Sequence, residues 1–205
     1  MLELYGVSRE TLREGLRLLE VQGLITIRRG PGGGPSVGAV DPANLGRTST
    51  LYYHLAGATY EELFEAWVVS ERTIAELAAA NPDRALVRAT LAQYRASCDS
   101  GDLTLEEFVG RHSQFHTTIA SLARNKVLQL DLMAVGQIIV HHVTINADPR
   151  AAGDAIEHDH VAIAKAIVAG HRVKARDLME THIRTIIEFY QGELGPQMHD
   201  IVEWH

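Results

Sequence analysis

The stretch Arg111-His112-Ser113-Gln114-Phe115-His116-Thr117-Thr118-Ile119 sets the frame for the rest of the chain. Phe108, Phe115, Ile119 and Leu122 recur with helical spacing, and His112 and His116 fall on the same stripe. Residues four apart share a helix face one turn apart, so both imidazoles point inward and converge. Two later segments repeat the arrangement. Across Asp154–Ala169 the stripe is Ile156, Ile163 and Ile167, with His160 on it. Across His171–Tyr190 it is Ala175, Leu178, Ile186 and Phe189, with His182 on it.

Taken singly, each histidine reads as a core residue bonded to a carbonyl. Four on the inner faces of three helices are harder to place, because buried polar groups need partners. A shared divalent ion would satisfy all four, and helical bundles build such sites between facing helices. Imidazole suits zinc, nickel, copper and iron. His112, His116, His160 and His182 are therefore the expected metal ligands.

The chain has 205 residues, enough for one large domain or a small one plus a medium one, and its 46% hydrophobic content supports a proper core. Its formal net charge of −7 excludes a polycation that coats nucleic acid. The charge is uneven: residues 1–40 hold five arginines and four glutamates, a net of +1, so the remainder carries −8. A small anion-binding head on an acidic body is compatible with that split. The single cysteine, Cys98, rules out a disulfide framework and fits a reducing compartment; it is expected near a helix end in a structural role. With no signal-peptide pattern and no apolar run of ~20 residues, a cytoplasmic protein without a membrane span is expected.

The order of elements comes from local signals. Met1–Tyr5 reads as the end of a helix and Gly6 as a turn. Ser8 is an N-cap for a helix from Arg9 to about Gln22, closed by Gly23. Leu24–Arg28 alternates as a strand, Arg29–Pro35 must turn, and Ser36–Val40 returns as a second strand. Helix, turn, helix and a basic-tipped hairpin form a winged helix-turn-helix pattern, whose second helix enters the DNA major groove. Arg9, Thr11 and Arg13 then face the DNA, with Arg29 at the wing tip. After Asp41-Pro42 everything reads as helix: Ala43–Ala56, Tyr60–Ala80, Arg84–Ser97, Leu105–Ala123, Val127–Ile145, Pro149–Ala169 and Arg172–Glu193. Val127–Ile145, apolar on nearly all sides, is the expected central buried helix. Its His141 and His142 either face a cavity or cap the helix end. The fold class is thus mainly α: a partial winged head over residues 1–40 and an all-helical bundle of six to seven helices over 41–205.

The stretch Tyr5-Gly-Val-Ser-Arg-Glu-Thr-Leu-Arg-Glu-Gly-Leu-Arg-Leu-Leu-Glu-Val-Gln-Gly-Leu-Ile25 is very similar to the winged helix-turn-helix of GntR-type transcriptional regulators. The helical remainder resembles the FCD effector domain of that family's FadR branch. The resemblance implies DNA contacts from Ser8, Arg9, Thr11 and Arg13 and from Arg29 with Gly30 in the wing. It also implies that the family's first head helix is missing here. In that branch the metal is held by one aspartate and three histidines, the aspartate four residues before the first histidine. His116, His160 (in Glu157-His-Asp-His-Val-Ala-Ile163) and His182 (in Glu180-Thr-His-Ile183) match the three histidines, and His112 replaces the carboxylate. An all-histidine set is neutral, which favours zinc, nickel or copper over harder ions, zinc or nickel first, and an anionic effector, expected to carry a carboxylate. An arginine that the family often places in the first long helix of the effector domain is Trp67 here, so Trp67, His141 and His142 are the candidate effector contacts. The resemblance further implies a homodimer on a palindromic double-stranded operator, regulated by a small effector. A metal sensor is the alternative. A metal-dependent enzyme using Glu157 or Asp159 as base is the third reading.

Overall fold

The computed structural model describes residues 2–38, 41–94, 103–142 and 148–204. The chain divides into two compact units, 1–45 and 46–205.

In the first unit α1 (Leu2–Tyr5) leads through Gly6, at φ +61°, to α2 (Arg9–Val21). Ser8 caps α2: its Oγ accepts the Thr11 N–H at 3.1 Å. Strands β1 (Ile25–Arg28) and β2 (Gly34–Val37) pair antiparallel, Ile25 opposite Val37 and Arg28 opposite Gly34. The Ile27 N–H donates to Glu20 Oε1 at 3.2 Å, tying β1 to α2. The second strand starts earlier than its sequence suggests and includes Pro35. In a two-stranded ribbon each strand is an edge, so a residue without an N–H is tolerated there. Gly33 is required at the tip, because a Cβ would lie 2.3 Å from the Arg28 carbonyl oxygen.

The second unit takes in most of α3 (Pro42–Ala56), then α4 (Tyr60–Ala79), α5 (Arg84–Thr90), α6 (Leu105–Leu122), α7 (Lys126–His142), α8 (Gly153–Ala169) and α9 (Arg172–Leu194). Capping boxes start α4 (Thr59 with Glu62) and α6 (Thr104 with Glu107). The central helix is α4, not α7. It packs against α6, α7, α8 and, most extensively, α9. Nine of its residues are buried, and Ala75, Ala78 and Ala79 let its neighbours approach. The apolar surplus of α7 misleads: Val127 at its start is exposed, and its buried side is Leu132, Ala134, Val135, Ile138 and Ile139.

The helix expected over Arg84–Ser97 ends at Thr90 and tightens into a 3₁₀ turn, Ala92–Tyr94. The turn lets buried Leu91 and the Tyr94 ring, edge-on to Phe115 with centroids 5.0 Å apart, both face inward. The remainder of that stretch with Cys98, the end of Val127–Ile145 and the end of Ser36–Val40 lie outside the described residues. In α9 the buried line runs Ala175, Met179, His182, Ile183, Ile186 and Tyr190, one position on from the expected Leu178 and Phe189. At the far end of the bundle the Arg84 guanidinium donates to four carbonyls: Ala79 (3.0 Å), Asn81 (3.1 Å), Ile167 (2.6 Å) and Val168 (2.8 Å). It thus joins the C-terminal ends of α4 and α8, where backbone dipoles favour a cation. Among the described residues, no helix is long and apolar enough to cross a membrane.

Candidate metal centre

Each histidine arrives on its helix by the apolar register around it. Phe108, Phe115, Ile119 and Leu122 fix the inward face of α6 and carry His112 and His116 with them. Ile156, Ile163 and Ile167 do the same for His160 on α8, and Met179, Ile183 and Ile186 for His182 on α9. The Phe115 ring stacks on His160 with centroids 3.8 Å apart, which fixes the imidazole plane. His116, His160 and His182 are buried and His112 partly so. One ring nitrogen from each of the four lies within 4.8 Å of all the others.

The unpaired atoms show what the cluster lacks. His112 Nδ1 and the Nε2 atoms of His116, His160 and His182 are shielded from solvent with no hydrogen-bond partner. Four orphaned lone-pair donors facing one another are costly in a closed core. Their chemistry fits a divalent ion of the kind that imidazole favours. Burial pushes the His112 and His160 pKa values well below 6.5, and the neighbouring imidazoles push the same way. Burial also lowers His182, partly offset by Asp159. All three are therefore held in the neutral form that a ligand must have.

Outer carboxylates stand behind two of the rings. The Nδ1–H of His182 donates to Asp159 Oδ2 at 3.2 Å. His116 Nδ1 lies 2.7 Å from Glu71 Oε1, close but not aligned as a hydrogen bond. Carboxylates behind ligating imidazoles fix ring orientation and raise ligand basicity. Sequence pattern does not single out Glu71, because a carboxylate in an apolar stripe looks like an interruption. The available signal is its spacing from Trp67, one turn earlier on α4: the Trp67 Nε1–H donates to Glu71 Oε1 at 3.1 Å.

A cavity of about 90 Å³ opens beside the cluster, lined by Trp67, Glu71, His112, His116 and Tyr190 among others. Burial pushes the Tyr190 pKa up to about 12, so its hydroxyl stays protonated at neutral pH. Of the expected effector contacts, Trp67 lines this cavity; His141 and His142 do not. His141 is exposed, and His142 Nδ1 is 2.9 Å from Tyr60 Oη. The register of α7 turns Leu132, Ile139 and Val140 to the cavity instead. Glu157, expected off the inner stripe, is buried, with Arg111 Nη2 donating to its Oε2 at 3.1 Å. Asp159 is committed to His182. Each acid is thus engaged through one oxygen, Glu157 by Arg111 and Asp159 by His182.

In the first unit Arg9, Arg13 and Arg29 are exposed and make no ion pair or hydrogen bond among the described residues. Ser8 and Thr11 are coupled to each other through the helix cap, Oγ to Oγ1 at 2.9 Å. Gly30 adopts φ +102° in the hairpin turn.

No curated protein matches the sequence. Among solved structures the chain is similar to "Streptococcus agalactiae GntR" at 23% identity and a TM-score of 0.61, over 91% of this chain and 85% of that one. That likeness concerns the fold. The FCD domain family matches residues 62–185, which span the four histidines, Trp67 and Glu71. This match takes in more than half of the chain, and the chain belongs to the FCD-domain family.

Proposed function

We propose that the protein is a GntR-type transcriptional regulator of the FadR branch, with DNA-binding activity in the first unit and effector binding in the second. The observation that carries this reading is the pairing, in one chain, of an arginine-bearing helix and hairpin with a buried four-histidine cluster beside a cavity. Arg9 and Arg13 on α2 can read guanine edges in the major groove, Ser8 and Thr11 hydroxyls can position on phosphate, and Arg29 with Gly30 reaches the backbone from the hairpin. His112, His116, His160 and His182 hold a divalent ion, zinc or nickel by donor type. When bound, that ion supplies a Lewis-acidic site for an effector carboxylate. Trp67 and Tyr190 shape the cavity that receives the rest of the effector.

The regulator acts in the cytoplasm as a homodimer on a palindromic operator, since a two-fold protein matches a two-fold site. Effector binding changes operator affinity, and by linkage the operator changes effector affinity by the same factor. The test is selection from a random double-stranded DNA pool, followed by anisotropy titration with and without zinc. Enrichment of an inverted repeat is the expected result. Recovery of no sequence preference would overturn the DNA-binding half.

A metal sensor, in which the ion itself is the signal, uses the same ligands. Zinc alone shifting operator affinity across its binding range would identify it. An enzymatic reading would have to draw its base from Glu157, paired with Arg111, or Asp159, paired with His182.

A further inference from the structure

Glu71 is 1% exposed, yet one of its two oxygens has no partner. Both of its contacts go to Oε1: the Trp67 indole N–H and His116 Nδ1. Oε2 is shielded from solvent and unpaired. Glu71 also lines the cavity beside the histidine cluster, and no lining side chain among the described residues is a lysine or arginine. A carboxylate in such a place calls for a donor of opposite charge. The rest of the wall is largely apolar, with Phe108, Leu132, Ile139 and Ile156 in it, and the one ionisable base against Glu71 among the described residues, His116, meets Oε1 and leaves Oε2 unmatched.

We propose that Glu71 Oε2 is the recognition point for an ammonium group on the cavity ligand, which makes that ligand a short amino-carboxylate and not a diacid. This inference rests on the effector-cavity function proposed for the second unit and adds to it the chemistry of the ligand's second end. The carboxylate end is held at the histidine cluster and the ammonium end by Glu71. A second carboxylate at the Glu71 end would be repelled, with no side-chain cation on the wall to offset it. The cavity, smaller than the roughly 150 Å³ that accommodates benzene, restricts the ligand to a compact chain.

The test compares β-alanine with butyrate, which share a carboxylate and a chain length and differ only in NH₃⁺ against CH₃. Trp67 is one of two tryptophans, and the other, Trp204, is exposed. A Trp204→Phe background therefore makes Trp67 the sole indole reporter, with calorimetry as a second measurement on the wild-type chain. With the protein saturated in zinc, β-alanine should bind at least about tenfold more tightly than butyrate, the range of a charge-assisted hydrogen bond. Glu71→Gln, which keeps the shape but loosens the support of His116, should bring the β-alanine to butyrate affinity ratio to about one, compared at zinc loading equalised by elemental analysis, whatever the change in absolute affinity. Equal or tighter binding of butyrate in the wild type would overturn the inference and leave the effector-cavity function standing. A preference for β-alanine that survives in Glu71→Gln would overturn it too. Binding of neither probe, nor of 4-aminobutyrate and pentanoate as the next longer pair, would overturn both.

Discussion

The two units solve opposite problems. In residues 46–205 the interior is closed: Ile74, Phe115, Ile119, Ile163 and Ile183 are at 0% exposure. In residues 1–45 no described residue is buried, and Leu4, Leu18, Val21 and Val37 stand more than half exposed. The body is held by its own apolar core. The head is held by backbone pairing, a cap and one Glu20 bond, and presents its arginines outward. Burial and polarity therefore carry opposite meanings in the two places. In the head the informative side chains are the exposed cations; in the body they are the buried imidazoles and Glu71.

Substitutions should separate the two regimes. Phe64→Ala, in the body core, is expected to cost about 3–5 kcal/mol, seen as a lower midpoint in urea unfolding. A loss under about 1 kcal/mol would mean that the closed core is not what holds the body. His116→Ala should weaken zinc binding by more than about 100-fold, beyond the usual cost of losing an outer partner alone. Elemental mass spectrometry of the purified variant should find substoichiometric metal, and full retention would remove His116 from the ligand set. Arg13→Ala should leave unfolding unchanged and weaken operator binding by about 1–3 kcal/mol, read by anisotropy against the selected sequence.

The histidine cluster also gives the body a pH dependence that the head, with no histidine before His54, lacks. In the metal-free fold His112, His160 and His182 sit below 6.5, so the unfolded chain takes up protons first as pH falls. Stability is then fully present above about 6.5, the ordinary histidine value, and declines below it. Metal-free protein melted between pH 8 and 5 should lose midpoint in that direction, and a flat profile would contradict the buried neutral rings. The smallest effect is expected from Leu18→Ala in the head, within about 0.5 kcal/mol, because that side chain is already exposed. A larger loss would show that a covering surface exists in solution.

Sequence pattern reached the helices and the histidine quartet because both depend on local spacing. The i, i+4 pair on α6 and the isoleucine register of α8 need no knowledge of the partner helix. What stayed hidden depends on neighbours. Whether α4 or α7 is central is decided by which faces other helices cover, and composition alone favours the more apolar segment. The end of α5 at Thr90 results from Leu91 and Tyr94 both being drawn inward, a tertiary demand on an otherwise helical sequence. Glu71 is invisible for a related reason: its meaning comes from His116, 45 positions later in the chain, and not from its own helix.

The Arg84 contact has a mechanical consequence. One guanidinium holds the last carbonyls of α4 and α8 together, and these helices carry Trp67 with Glu71 and His160. Any relative movement that preserves the four bonds is a pivot about that end. Its amplitude grows along both helices away from Arg84, so a small opening at the imidazoles becomes a larger swing at their N-terminal ends, Tyr60 and Gly153.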